Sequence, residues 1–318
     1  KKHMKKITLI NSGGTISSDY DGMIMRPGLV TSFDELGDRI QKVKTPFCML
    51  SENMTWNTLR ALGDCIEEEL ESAEAVIVTH GTDTLAYTAA YLGLRLAGTS
   101  VPVMIASADM PLSNPMSNGG ANLMCALSAI DGGVGGVLVP YRNPYERPVL
   151  HVSTRLLSSR DFDGGLYSAL GKICGYTDRT GKFMLQEKIS AHKFALSGNG
   201  DGKAVRLVFA NPGIDYAALA RSAKQENSAI VFAGYHTGTI NSGADGIGQL
   251  DGVETYLAGG LSGEKYQSIE QMPGFVRVID NIAPITLYTK VRLAHENFSS
   301  EKEREAYINA DTFGEYFQ

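Results

Sequence analysis

The stretch AVIVTHGTDTLAYTAAYL, residues 75–92, constrains the fold more than any other part of this chain. Small and β-branched residues run into a polar knot, Thr79-His80-Gly81-Thr82-Asp83-Thr84, and alanine, leucine and tyrosine then recur at helical spacing. An apolar run of strand length leading at once into a helix is half of a β-α-β unit, whose strand is covered on both faces. The hydroxyls, imidazole and carboxylate therefore belong at the carboxyl end of a strand. Open parallel sheets bind their ligands there.

The rest of the chain repeats the alternation, which predicts an α/β protein with a mainly parallel, Rossmann-like sheet. Strands are expected at 5–11, 47–50, 75–79, 101–106 and 135–141, and helices at 32–43, 53–72, 85–98 and 118–131. In the helix at 53–72, Trp56, Leu59, Leu62, Ile66 and Leu70 fall at spacings of three and four, an amphipathic face. The Gly-rich ALSGNGDGKA (195–204) predicts a linker at about 195–203, between a larger domain at 4–194 and a smaller parallel α/β domain at 204–318. The second domain should carry strands at VRLVFA, AIVFAGY, VETYLA and FVRVI, with helices near 215–226, 285–296 and 300–309.

Composition narrows the partners. With 43% hydrophobic and 20% charged residues, the 318-residue chain reads as soluble and globular, and its length allows one large or two ordinary domains. A net charge of −6 gives no support to a nucleic-acid partner. No apolar run reaches the roughly 20 residues needed to span a bilayer. The opening KKHM reads as an added remnant, with the natural chain expected to start at Met4 and no signal peptide following. Cys48, Cys65, Cys125 and Cys174 form no CxxC pair, so reduced thiols of a cytoplasmic protein are expected.

Three polar knots occupy strand ends in the first domain. In LINSGGTISS, Gly13 and Gly14 allow a sharp turn with exposed N–H groups that can hold an oxyanion, with the Thr15 hydroxyl beside it. Local sequence favours a plainer alternative, a tight turn whose threonine caps a helix. In VTHGTDT, Thr82 and Asp83 can leave the strand end toward one cavity, the carboxylate to hold an ammonium and the hydroxyl to place a water. Alternatively Asp83 or Thr84 caps the following helix, and His80 reads as a hydrogen-bonded core residue. In MLSENMTW, Ser51 and Glu52 could bind the two charged ends of an amino acid, or Asn53 could merely cap a helix.

Together SGGT, SENM and VTHGTDTLAYTAAYL resemble the bacterial-type L-asparaginase and glutaminase family, closest to its cytoplasmic, type I-like members. The resemblance continues through VPVMIASADMP and SNGGANLMCAL, where Asn118 stands in place of the family's usual aspartate, and through FANPGID and AGYHTGTI. It implies two α/β domains and an amidohydrolase acting on the side-chain amide of asparagine or a related amino-acid amide, without metal or other cofactor. It also implies a homodimer or homotetramer, with a small-molecule amide as partner and neither nucleic acid nor membrane.

Carried over by position, Thr15 would be the nucleophile, with Thr82 and Asp83 the second hydroxyl and its acidic neighbour. Ser51, Glu52 and Asp83 would hold the substrate's α-carboxylate and α-ammonium, and the backbone of Gly14, Thr15, Gly81, Thr82 and Ala108 would surround the amide. Two further positions depart from the family. Its catalytic lysine falls at Leu157 or Ser158 here, with Arg155 and Arg160 the nearby cations, although an arginine cannot take a proton. Its loop tyrosine falls at Met23 or Met25, with Tyr20 close by. The departures open two alternatives to ordinary asparagine hydrolysis: a larger N-substituted substrate, or binding of an amino-acid derivative with little catalysis.

Overall fold

The computed structural model describes residues 4–21, 23–28, 36–264 and 266–317. The chain divides into two compact units, Lys1–Lys193 and Phe194–Gln318.

In the first unit, β1 (Ile7–Asn11) leads through a 3-10 turn into a hairpin of β2 (Ser18–Asp21) and β3 (Ile24–Pro27). Then come β4 (Ile40–Lys44), α1 (Trp56–Leu70), β5 (Ala75–Thr79), α2 (Leu85–Arg95), β6 (Pro102–Ala106), α3 (Gly119–Asp131) and β7 (Gly136–Tyr141). Three short strands follow: β8 (Val149–Val152), β9 (Gly175–Thr177) and β10 (Phe183–Leu185). One sheet has the order β10-β9-β8-β7-β6-β5-β1-β4, parallel from β4 to β7 and antiparallel beyond.

Every residue of β1, β5, β6 and β7 is buried, as continuous apolar runs require of strands covered on both faces. On α1 the amphipathic stripe holds: Leu59, Leu62 and Ile66 are buried, and Trp56 meets Tyr91 of α2 edge to face at 5.3 Å. Arg95 of α2 ties the same two helices by ion pairs to Asp64 and Glu67.

Two expected elements need correction. Of the helix expected at 32–43, residues 32–35 lie outside the described residues, 37–39 form a 3-10 turn, and 40–44 are strand β4. Phe33, Leu36, Ile40 and Val43 have helical spacing, but Ile40–Lys44 pairs in parallel with β1, and Lys42 and Lys44 reach the buried Glu69 of α1. The expected strand at 47–50 shrinks to a single bridge between Gly13 and Met49.

The second unit has a parallel sheet, β11 (Val205–Phe209), β12 (Ala229–Ala233), β13 (Thr255–Ala258) and β14 (Val276–Ile279), in that order. Its helices are α4 (Tyr216–Glu226), α5 (Gln267–Glu270), α6 (Pro284–Asn297) and α7 (Glu301–Asn309). The Gly-rich segment is fastened to α6: Ser197 donates to the Asn297 carbonyl, and Asp201 meets His295 at 2.9 Å. Lys290 of α6 is fully buried against Glu315, and its ammonium also donates to the carbonyl of Ala310. The fold is thus a mixed α/β one, with a large, mainly parallel sheet and a separate parallel sheet.

Candidate active site

The ends of β1 and β5 are stapled together by side chains to which the sequence alone assigns no role. These strands run in parallel with Asn11 beside Thr79. The Thr79 hydroxyl donates to Asn11 Oδ1 (2.9 Å) and accepts from the Ser12 amide, while Ser12 Oγ donates to the Thr79 carbonyl (2.5 Å). All three side chains are buried. The serine at position 12 therefore keeps a hydroxyl where the turn needs one.

Beyond the staple, the two chain segments touch at glycines. A Cβ on Gly14 would lie 2.2 Å from the Gly81 nitrogen, and one on Gly81 would lie 2.4 Å from Ser51 Oγ. Gly14 has φ 79° and ψ 174°, a conformation open to glycine alone. Ser51 Oγ accepts from the Asp83 amide at 3.2 Å, and the Thr84 hydroxyl donates to the Ser51 carbonyl at 2.9 Å. Gly14 N donates to the Met49 carbonyl. The three polar knots thus share one junction.

Thr15 and Thr82 each stand one residue beyond the touching glycines, both partly buried, and Asp83 follows, exposed. The capping alternatives fall away. The 3-10 turn after Gly14 has no side-chain cap, α2 has none either, and the N-cap of α1 is Thr55 rather than Asn53. Glu52 is exposed on the 3-10 turn Ser51–Asn53. Tyr20 is 55% exposed on the hairpin opposite Met25, and Met23, at the hairpin turn, is exposed as well. Leu157 and Ser158 are exposed on a loop, where the Leu157 amide donates to the Tyr167 carbonyl. Arg155 is buried and held bidentately by Glu187, and Arg160 is held by Asp163.

His80 is fully buried behind the junction. Its Nδ1 lies 2.7 Å from the Gly81 carbonyl, and its Nε2 2.8 Å from the Thr88 hydroxyl. A carbonyl only accepts, so Nδ1 carries the proton and Nε2 accepts from Thr88. Burial pulls its pKa down to about 4, against the bond to Gly81 and the charge of Asp83, so the ring is neutral near pH 7.

Ala108, buried at the end of β6, sits in a loop closed by a reciprocal clasp. The Asp109 amide donates to Asn118 Oδ1 and the Asn118 amide to Asp109 Oδ1, each at 2.9 Å. Asn118 Nδ2 also donates to the Arg142 carbonyl, a bond that an aspartate could not make. One further buried imidazole gives no signal in the sequence: His151 of β8 binds Ser168 through Nδ1, while its Nε2 has no hydrogen-bond partner among the described residues. Only recognition of the short antiparallel strands after β7 could have drawn notice to it.

A large, mainly parallel sheet beside a separate parallel sheet places the chain in the mixed α/β class. The signature described as Asparaginase, N-terminal matches residues 6–169, just over half of the chain. The chain belongs to the asparaginase family. It is 35% identical over 137 residues to a glutamyl-tRNA(Gln) amidotransferase subunit of Methanosarcina barkeri, covering 39% of this chain and 31% of that protein. Its identity to the protein of the same name from Halobacterium salinarum is 29% over 275 residues, covering 77% of this chain and 62% of that one. The chain therefore spans less than two thirds of the length of these relatives. Its fold is similar to that of the thermostable L-asparaginase from Thermococcus kodakarensis, with a TM-score of 0.77, 20% identity, and 98% and 99% of the two chains covered. Among the described residues no helix is long and apolar enough to cross a membrane.

Proposed function

We propose that the junction of the three polar knots, within residues 4–194, is the site of an amidohydrolase that cleaves the side-chain amide of asparagine or a related amino-acid amide. In this reading Thr15 attacks the carbonyl carbon, Thr82 and Asp83 supply the second hydroxyl and its acidic neighbour, and Ser51, Glu52 and Asp83 hold the charged ends of the substrate. The observation that carries it is the pair of amides beside the Gly14–Gly81 contact. Neither Thr15 N–H nor Thr82 N–H donates to an acceptor among the described residues. Unpaired amides one residue past a shared backbone contact suit the oxygen that gains charge when a hydroxyl attacks an amide.

Turnover of asparagine should be slow. Arg155 and Arg160 are engaged by Glu187 and Asp163, and positioned proton transfer typically contributes about 10²–10⁴-fold. The chemistry needs no metal, and the active form is expected to be a homodimer or homotetramer, cytoplasmic in setting. The test is amide turnover by the chain and by Thr15→Ala, over asparagine, glutamine and N-substituted derivatives. Turnover lost in Thr15→Ala supports the reading. Unchanged turnover moves the nucleophile to Thr82, and none by either protein favours binding without hydrolysis.

The relatives named as parts of an amidotransferase favour a second reading, in which amide cleavage serves nitrogen transfer in a larger assembly. Under it, turnover by the isolated chain would stay low and rise when a cognate partner chain and its acceptor are added.

A further inference from the structure

His80 is fully buried, yet it touches one of the two peptide groups whose orientation the proposed chemistry needs. Its Nδ1–H donates to the carbonyl of Gly81 at 2.7 Å, and that carbonyl shares a rigid peptide plane with the amide of Thr82. In a trans peptide, C=O and N–H point in opposite directions. A carbonyl held inward on a buried ring therefore forces Thr82 N–H outward, away from the core.

The ring is itself fixed. Thr88, one turn into α2, is fully buried and donates to Nε2 at 2.8 Å, which sets both the rotation of the imidazole and its tautomer. On the other side of the junction the same device recurs with different parts. The Gly14 carbonyl accepts from Ser18 Oγ (2.7 Å) and from Ser17 N (3.0 Å), so the Thr15 amide, in the same peptide plane, is turned away from those two donors. Both free amides thus follow a glycine whose carbonyl is tied down.

We propose that His80 is a positioning residue for amide hydrolysis: its Nδ1–H holds the Gly81–Thr82 peptide plane so that Thr82 N–H is aimed at the developing oxyanion. The proposal rests on the amidohydrolase reading above. It requires a neutral ring with the proton on Nδ1, and burial with the Thr88 bond keeps that form. Because the held group meets the oxygen only as charge develops, loss of the hold lowers kcat and leaves KM nearly unchanged.

Two substitutions separate this role from simple filling of space. Asparagine places an amide N–H where Nδ1 stands, whereas glutamine reaches only as far as Nε2. His80→Asn should keep kcat within about fivefold of the parent, and His80→Gln should lower it by about 10²-fold, the order lost with an oxyanion donor, with KM changed by less than about threefold in both. Equal kcat in the two variants, or a change confined to KM, overturns the proposal. Nitrogen-15 NMR of the unsubstituted protein gives a readout that needs no activity. His80 should carry its proton on Nδ1 at pH 7, and the Thr82 amide resonance should move in His80→Gln but not in His80→Asn. A proton on Nε2 overturns the proposal even if the protein is an active amidase. Absence of amide turnover, with the tautomer as expected and the Thr82 resonance moving only in His80→Gln, overturns the amidohydrolase reading and leaves the peptide-plane hold standing.

Discussion

Gly14 and Gly81 meet backbone to backbone at the ends of two neighbouring strands, with no room for a methyl group between them. A Cβ on Gly14 would fall 2.2 Å from the Gly81 nitrogen, and 2.5 Å from the carbonyl oxygen of His80. The neighbours are backbone rather than flexible side chain, so the two strand ends must part. Gly14→Ala also pays for a conformation that only glycine adopts. We expect a loss of about 3 kcal/mol or more in chemical denaturation, together with loss of any amide turnover. A variant that keeps full stability would show that the junction is looser than its contacts imply.

Asn118→Asp installs the residue that the resemblance led one to expect there and should nonetheless destabilise this protein. Asn118 is buried, and its Nδ2 donates to the Arg142 carbonyl at 2.9 Å. A carboxylate there loses the donor and faces both that carbonyl and Asp109. The expected cost is about 1–3 kcal/mol, read from urea denaturation midpoints. Asn118→Asp at or above parental stability would remove the structural account of this departure.

His80 gives the stability a pH dependence of known sign. Its pKa drops from 6.5 to about 4 on folding, because burial disfavours the charged ring. The unfolded chain therefore binds a proton between these values that the folded chain refuses. Its full contribution is present above pH 6.5 and falls away as the pH drops toward 4, by roughly 3 kcal/mol at most. Stability followed from pH 7.5 to 4.5 should fall less steeply in His80→Asn than in the parent. Identical slopes would mean that His80 takes up its proton in the folded state.

The buried pair in the second unit makes a further prediction. Lys290 is fully buried with Glu315, whose carboxylate also accepts from the amides of Thr312 (2.8 Å) and Phe313 (2.7 Å). Glu315→Ala strands a buried ammonium and should cost about 3–5 kcal/mol. The double variant Lys290→Met, Glu315→Leu should be appreciably more stable than the single one. Additive losses would deny the coupling.

The segment from β5 to α2 was legible because its two periodicities, continuous burial and then helical spacing, arise from local sequence. The polar turns after β1 and β5 were legible as well, as clusters of glycine and hydroxyl residues at strand ends, but their meeting at Gly14 and Gly81 was not. Strand β4 was not legible. Ile40 and Val43 continue a helical spacing begun upstream, and what makes Ile40–Lys44 a strand is the neighbouring β1 and the carboxylate of Glu69, both distant in sequence. The hold of His80 on Gly81 was hidden for a similar reason. A histidine before a turn reads as a core residue, and only the fold reveals which carbonyl it grips.

Among the described residues the large sheet ends in β4 on one side and β10 on the other. Neither border invites a further strand. Lys42 and Lys44 place two ammonium groups along the first, and the second offers only the three residues Phe183–Leu185. Charge and brevity are the two commonest means by which sheet proteins avoid joining edge to edge. In a crowded solution, this sheet is therefore poorly suited to template fibres or to recruit a passing chain into its ladder. Clumping of the folded protein would have to begin somewhere other than the borders of this sheet.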